Sequence, residues 1–344
     1  MPELYFEDFE PGALMAFTAS QPVSKEQIIA FARQFDPQPF HLDEEAAKTS
    51  MLGGLCASGW HTCALIMRLN YDGWIHRTAS MGAPGIDEVR WAKPVRPGDI
   101  LHMQLKVLDK RVSRTRPSMG LVSMYGEVAN ADGDIVMTQK HTQLIQVRDA
   151  QGEAAPVEKA AASPAASPGA AHRDHADTST EAGKPFAAYF EDIVVGATRD
   201  LGTETLTRDA IIAFAQEYDP QPFHLDEEAA RNSHFGALAA SGWHTAALWM
   251  RHVIQTRDRV LRERQAQGLS TPAGGPSPGF TNLRWIKPVH ADDTLTFSSR
   301  VIDKRMTSKP GWGLIFSDNS GVNQHGERVY EFRGSAFVPL RGSQ

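Results

Sequence analysis

An Asp and a His stand five positions apart, with two prolines between them, at Asp36 and His41 in FARQFDPQPFHLDEEAA, residues 31–47. The same residues recur at Asp219 and His224 in FAQEYDPQPFHLDEEAA, residues 214–230, and fourteen of the seventeen letters agree. Flanking sequence has drifted freely, and packing alone tolerates more substitution than this. The prolines fix much of the intervening backbone, which limits how the two side chains can move. A carboxylate and an imidazole held close can share one water molecule, one taking its proton while the other orients it. The imidazole suits this task because it titrates near neutrality.

A second pair of candidates opens the longest apolar stretch of each copy, at Ser58–Gly59 in GLCASGWHT and Ser241–Gly242 in ALAASGWHT. The first turn of a helix leaves backbone N–H groups unpaired beside the positive end of its dipole. Such a spot can stabilise a carbonyl oxygen as it gains negative charge. Glycine there permits close approach of a ligand, and it also permits tight helix–sheet packing. Ser58 reads as an N-cap, since no G-x-S-x-G nucleophile elbow surrounds it. Asp43 and Asp226 read as caps of short helices. His61 and His244, one turn into the apolar stretch, read as core or supporting residues. A metal site from His41, Asp43 and His61 lacks any recognised ligand spacing, so none is expected. Lys110, Arg111, Arg114 and Arg116, with Lys304, Arg305 and Lys309, form basic clusters that could meet a phosphorylated ligand or sit on a solvated strand edge.

These residues must be held by a scaffold, and repetition reveals it. YFEDFEPGA (5–13) recurs as YFEDIVVGA (189–197), ASGWHTCALIMR (57–68) as ASGWHTAALWMR (240–251), and VRWAKPVRPGD (89–99) as LRWIKPVHADD (283–293). The order is the same in both halves, which predicts a duplicated domain: one copy over residues 1–149, a second over 185–344. The Ala/Pro/Ser-rich stretch 150–184 between them holds one large apolar residue, Val157, and predicts a flexible linker.

Within a copy, SKEQIIAFARQF carries Ser24 and Gln27 at capping-box spacing and Ile28, Phe31, Ala32 and Phe35 on one face, an amphipathic helix. Pro37 ends it near Asp36. DPQPF is then a stiff turn, and HLDEEAAKTS a short second helix. GLCASGWHTCALIMRLNYDGW is apolar nearly all round and predicts a buried helix. VRWAKPV, ILHMQLKVLDKRV, GLVSMYGEVAN and DIVMTQKHTQLIQV alternate with period two and predict antiparallel strands. One buried helix followed by four or five strands predicts an α+β domain with its sheet curled around the helix.

The bulk numbers fit. The chain of 344 residues is 41% apolar and 22% charged, with a formal charge of −6. That gives no reason to expect nucleic acid or an anionic membrane as partner. No apolar run reaches the roughly 20 residues needed to span a bilayer, and the acidic start MPELYFEDFEPG does not resemble a signal peptide. The two cysteines, Cys56 and Cys63, are replaced by Ala239 and Ala246 in the second copy. They predict small core residues in a reducing cytoplasm rather than a disulfide framework.

The sequence resembles the MaoC-like family of (R)-specific enoyl-CoA hydratases and dehydratases. The family motif Asp-x-Asn-Pro-x-His-x-Asp is matched by DPQPFHLD in both halves, the glycine-rich lead into its central helix by GGLCASG and GALAASG, and its strand turn by PVRPGD. Gln38 and Gln221 stand where the family has Asn, Phe35 and Tyr218 where many members have Gly, and Ser58 and Ser241 where His is common. These departures bear on the substrate more than on the reaction. The resemblance implies two hot-dog domains joined edge to edge as a pseudo-dimer, either monomeric or further paired as a homodimer. It implies that Asp36/His41 and Asp219/His224 handle water, with Gly59 and Gly242, flanked by Ser58 and Ser241, binding the thioester oxygen. It further implies an acyl-CoA thioester as substrate, no cofactor, and two competent sites. A hot-dog thioesterase or a non-catalytic acyl-binding module are the alternatives. A tunnel walled by Phe40, Trp60, Trp243 and Trp249 would favour a short or branched acyl chain, including one with a second carboxylate.

Overall fold

Ser24 accepts the Gln27 N–H while the Gln27 side chain accepts the Ser24 N–H, and this capping box starts a helix that the prolines then stop. The computed structural model describes residues 2–148 and 188–342; the predicted linker at 150–184 lies outside the described residues. In the first copy β1 (Leu14–Thr18) precedes α1 (Lys25–Phe35), followed by α2 (Pro39–Leu42), α3 (Glu44–Lys48) and the buried α4 (Gly59–Gly73). Strands β2 (Gly85–Trp91), β3 (His102–Val112), β4 (Met119–Ala129) and β5 (Ile135–Gln146) complete it. The second copy repeats the order with β6 (Thr198–Thr205), α5 (Arg208–Tyr218), α6 (Pro222–Leu225), α7 (Glu227–Arg231), α8 (Gly242–Ala266), β7 (Gly279–Trp285), β8 (Thr294–Met306), β9 (Trp312–Val322) and β10 (Arg328–Pro339).

Two local expectations need correction. HLDEEAAKTS is not one helix: Pro39 starts α2, which contains His41, and Asp43 adopts an extended conformation that breaks the chain before capping α3 through the Ala46 N–H at 2.8 Å. Four strands follow the buried helix, as expected, but a fifth precedes it. β1 pairs antiparallel with β3 and forms the outer edge.

All ten strands form one antiparallel sheet in the order β1-β3-β4-β5-β2-β7-β10-β9-β8-β6. The two copies meet at β2 and β7, where Gly85 lies opposite Arg284 and Gly279 opposite Arg90, a symmetric register. Both seam glycines are sterically required. A β-carbon on Gly85 would lie 2.1 Å from the Leu283 carbonyl oxygen, and one on Gly279 2.1 Å from that of Val89. Gly85→Ala is therefore expected to destabilise the protein by about 1–3 kcal/mol. Urea unfolding of the variant beside the parent checks this, and an unchanged midpoint would refute it.

The sheet wraps α4 and α8, which pack on each other and each on the other copy's first helix. Around that junction Phe31 meets Tyr218 at 5.7 Å and Phe35 meets Phe214 at 5.7 Å, edge to face. His61 stacks on Phe31 at 4.5 Å and His244 on Phe214 at 4.6 Å, so both histidines are core residues. Among the described residues neither ring nitrogen of His61 has a hydrogen-bond partner, nor does Nδ1 of His244. Burial pushes both down to about 3. Among the described residues no helix is long and apolar enough to cross a membrane.

Candidate active site

The constraint anticipated from DPQPF is realised in both copies. Asp36 ends α1 and His41 sits on the single turn of α2, both buried, with His41 Nε2 3.6 Å from Asp36 Oδ2. In the second copy His224 Nε2 lies 3.4 Å from Asp219 Oδ2. The backbone fixes the imidazole tautomer. His41 Nδ1 lies 2.7 Å from the Cys56 carbonyl oxygen and His224 Nδ1 2.7 Å from that of Ala239, and a carbonyl can only accept, so Nδ1 carries the proton. In the neutral ring Nε2 is then a bare acceptor facing a carboxylate.

Burial lowers the His41 pKa, opposed by Asp36 and by the Cys56 carbonyl, so the neutral ring is favoured. Asp219 is also held below the ordinary carboxylate range: burial alone raises it, but His224, Ser241 and Gln221 together outweigh that. Two acceptors at this separation are complementary to a guest that donates two hydrogen bonds, and water is the smallest.

Each carboxylate is gripped on its other flanks. Ser58 Oγ donates to Asp36 Oδ2 at 2.6 Å and Gln38 Nε2 to Oδ1 at 3.0 Å; Ser241 and Gln221 hold Asp219 at 2.7 and 3.0 Å. Ser58 also caps α4 by accepting the Trp60 N–H, and Ser241 caps α8 through Trp243. Ser58 and Ser241, which flank the glycines, are both buried and hold the carboxylate in position. Gly59 and Gly242, by contrast, occupy the first helical positions, and among the described residues no acceptor meets their N–H groups. Gly59 lines the cavity beside Asp36 and His41. Its lack of a side chain is also a packing requirement, since a β-carbon there would come within 2.6 Å of Trp91.

The two sites differ in what the opposite copy offers them. One cavity holds Asp36, Gln38, His41, Gly59 and Trp60, with Lys309 and Phe337 contributed by the second copy. A further cavity shares Gln38, Trp60 and Trp91 with it and continues between α8 and the inner face of β8–β10. The N-terminal pair thus looks into the C-terminal domain. Across the repeat, the positions of Arg257, Ser299, Ser317, Gly334 and Ala336 on that path are Trp74, Leu105, Met124, His141 and Gln143. The five counterparts are buried, and all are larger than the residues they match; Trp74 fills with an indole the place of a guanidinium. Gln143 donates to Ser80 at 2.9 Å and Ser80 to Gln221 at 3.0 Å, a polar chain from the first copy onto the glutamine that holds Asp219. Facing the C-terminal pair, the first copy is filled where the second copy is open.

Of the expected tunnel walls, Phe40, Trp60 and Trp249 line these cavities, while Trp243 packs edge to face on Trp285 at 5.5 Å. Of the basic clusters, Lys110 and Lys304 are structural, while Lys309 lines the cavity. Lys110 pairs with Glu10 at 2.7 Å, and Lys304 donates to the Phe190, Glu191 and Ile193 carbonyls. Cys56 and Cys63 are buried thiols; burial pushes Cys56 up to about 12 and raises Cys63 as well, so neither is a nucleophile. Among the described residues no group of His, Cys, Asp and Glu could hold a metal ion. Arg257, Ser80 and Gln143 escaped notice in the sequence. The signal was there in the repeat, where Arg257 replaces Trp74 in a helix ten residues longer than its counterpart.

A sequence model described as the MaoC like domain matches residues 8–123 and again 193–311. A 3-hydroxybutyryl-CoA dehydratase of Methylorubrum extorquens is 28% identical over 136 residues, 39% of this chain and 83% of that protein. The solved structure of a MaoC domain protein dehydratase from Chloroflexus aurantiacus superposes with a TM-score of 0.75 at 17% identity, over 99% of each chain. A Mycobacterium tuberculosis protein with a double hot-dog fold gives 0.67 at 17% identity, covering 96% of this chain and 97% of that one. The two structures bear on the fold alone: the chain is a double hot-dog, its two copies forming an intramolecular pseudo-dimer.

Proposed function

The chain belongs to the MaoC-like domain family, and from that premise we propose that it is an acyl-CoA hydratase/dehydratase, adding water to a 2-enoyl-CoA or removing it from a 3-hydroxyacyl-CoA. The observation that carries this reading is the acceptor pair of Asp36 and neutral His41, facing each other across 3.6 Å on the wall of a cavity that also holds Gly59. The Gly59 N–H polarises the thioester carbonyl, which makes C3 electrophilic and stabilises the enolate-like transition state. One such donor is worth roughly 3–4 kcal/mol in comparable sites. Asp36 orients a water molecule while His41 Nε2 takes its proton. The hydroxyl bonds to C3, the C2=C3 electron pair moves onto the thioester oxygen, and the imidazolium returns the proton to C2. Reversal of the same steps dehydrates a 3-hydroxyacyl thioester.

The name of the M. extorquens relative supports CoA as the carrier, and Lys93, Arg96 and Lys309 give the cavity three cations in keeping with the polyanionic CoA moiety. An (R)-configured product is the expectation for this family. The test is a panel of 2-enoyl-CoA thioesters followed at the enoyl-thioester absorbance band, with the configuration of each product determined. Reversible bleaching is expected. Irreversible loss of the band with release of free thiol would replace the proposal with a thioesterase.

A further inference from the structure

Arg257 stands on α8 at a place where the first copy carries Trp74, and it lines the cavity that runs from Gln38 into the second copy. Its hydrogen bonds to the described residues go to neutral oxygens: Nη1 to Gln38 Oε1 at 3.3 Å and Nη2 to the Pro272 carbonyl at 3.5 Å. Among the described residues it has no carboxylate within ion-pair distance. A guanidinium has five N–H donors, so most of its hydrogen-bonding capacity is left over.

The chain holds it in place. The loop after α8 passes so close that a β-carbon on Gly274 would lie 2.3 Å from Nη1. The wall around it mixes aliphatic groups with Ser299, Ser317 and Asn319, where the first copy has Leu105, Met124 and Gly126. A cation partly withdrawn from water without an adjacent counter-charge is unfavourable, and a ligand carboxylate accepting two parallel N–H bonds relieves it. Burial lowers the Arg257 pKa, opposed by the more distant charges of Asp258 and Asp36.

We propose that Arg257 reads a carboxylate on the acyl group, so that the substrate of the N-terminal site is the CoA monothioester of a short dicarboxylic acid. This rests on the hydratase reading above and deepens it. Reach sets the chain length. Gln38 bridges Arg257 to Asp36 through hydrogen bonds of 3.3 and 3.0 Å, so the carboxylate sits a few bonds beyond the carbon that receives water. Arg257 is a specificity-determining residue here, and its bond to Gln38 makes it a positioning residue too.

The two roles separate in one experiment on the full chain. Pentenedioyl-CoA is compared with pentenoyl-CoA, and hexenedioyl-CoA with hexenoyl-CoA, in kcat/KM; equilibrium binding of glutaryl-CoA against pentanoyl-CoA gives the same ratio without catalysis. The parent is expected to favour the carboxylate-bearing member by on the order of 100-fold, and Arg257→Met to bring the ratio near one. Arg257→Lys should keep part of the preference, and Gly274→Ala, which moves the cation without removing it, should lose most of it. These two variants carry the test if Arg257→Met does not fold. A parent that bleaches both partners equally overturns the inference while the hydratase reading stands. So does an Arg257→Met that slows both members of a pair alike, since that is loss of Gln38 positioning only. If no enoyl thioester is bleached but binding still shows the arginine-dependent preference, the hydratase reading fails and the carboxylate site stands.

Discussion

Asp36→Asn lowers kcat by about 1000-fold, within the range of a lost acid–base group, whereas Asp219→Asn costs less than twofold. This is the expected result of steady-state hydration assays on the two single variants, each checked for intact folding. Near-identical pairs would ordinarily predict equal effects, and that is what the repeat suggests by itself. The surroundings break the tie. The N-terminal pair opens on a path into the second copy past Arg257, Ser317 and Gly334. The C-terminal pair faces the first copy, where Trp74 and Met124 are fully buried and His141 and Gln143 nearly so. The Gln143–Ser80–Gln221 hydrogen bonds also span the approach to Asp219. Asparagine keeps the size of the side chain and can still meet the neighbouring serine and glutamine, so the comparison isolates charge and basicity. Equal losses in the two variants would mean that both pairs turn over substrate.

The second large effect concerns acid. His61 and His244 are buried with pKa values of about 3, against an ordinary value of 6.5. Between those limits the unfolded chain binds protons that the folded chain does not. The folded state therefore has its full stability above about pH 6.5 and loses it as pH falls, by roughly 1.4 kcal/mol per group per pH unit. Together the two should remove on the order of 5 kcal/mol between pH 6.5 and pH 4.5. His141 and His234, both lowered to about 4 by burial, add to the same slope. His61→Phe with His244→Phe should keep the stacking on Phe31 and Phe214 and flatten the dependence by up to about half. Urea unfolding from pH 7.5 to pH 4.5 measures it. An equally steep slope in the double variant would show that these rings do not carry the acid sensitivity.

Local chemistry was easiest to read from the sequence. The Ser24–Gln27 capping box, the stop before Pro37, the Ser58 cap and the Asp36–His41 proximity all follow from residues within a few positions of one another. The duplication was legible from whole repeated segments, and the family resemblance added the joined sheet. What escaped depends on neighbours distant in sequence. Gly85 and Gly279 look like ordinary strand-end glycines until β2 and β7 are side by side. The Cys56 carbonyl that sets the His41 tautomer is a backbone atom, so no residue type announces it. Trp243 was expected on the tunnel wall because it is large and repeated, yet it is turned onto Trp285. Arg257 reads as one more charge in the polar end of a long helix, and only its position across from Gln38 gives it significance.

The covalent joining of the two halves has an evolutionary consequence. In an assembly of two identical subunits, any change that widens one receptacle widens both, because a single codon specifies each pair of symmetry-related positions. Fusion removes that constraint: position 74 can be a plug while its counterpart at 257 is a recognition group. One half is free to change its interior as host for the cargo without altering the other, and the shared sheet keeps the partners matched one to one.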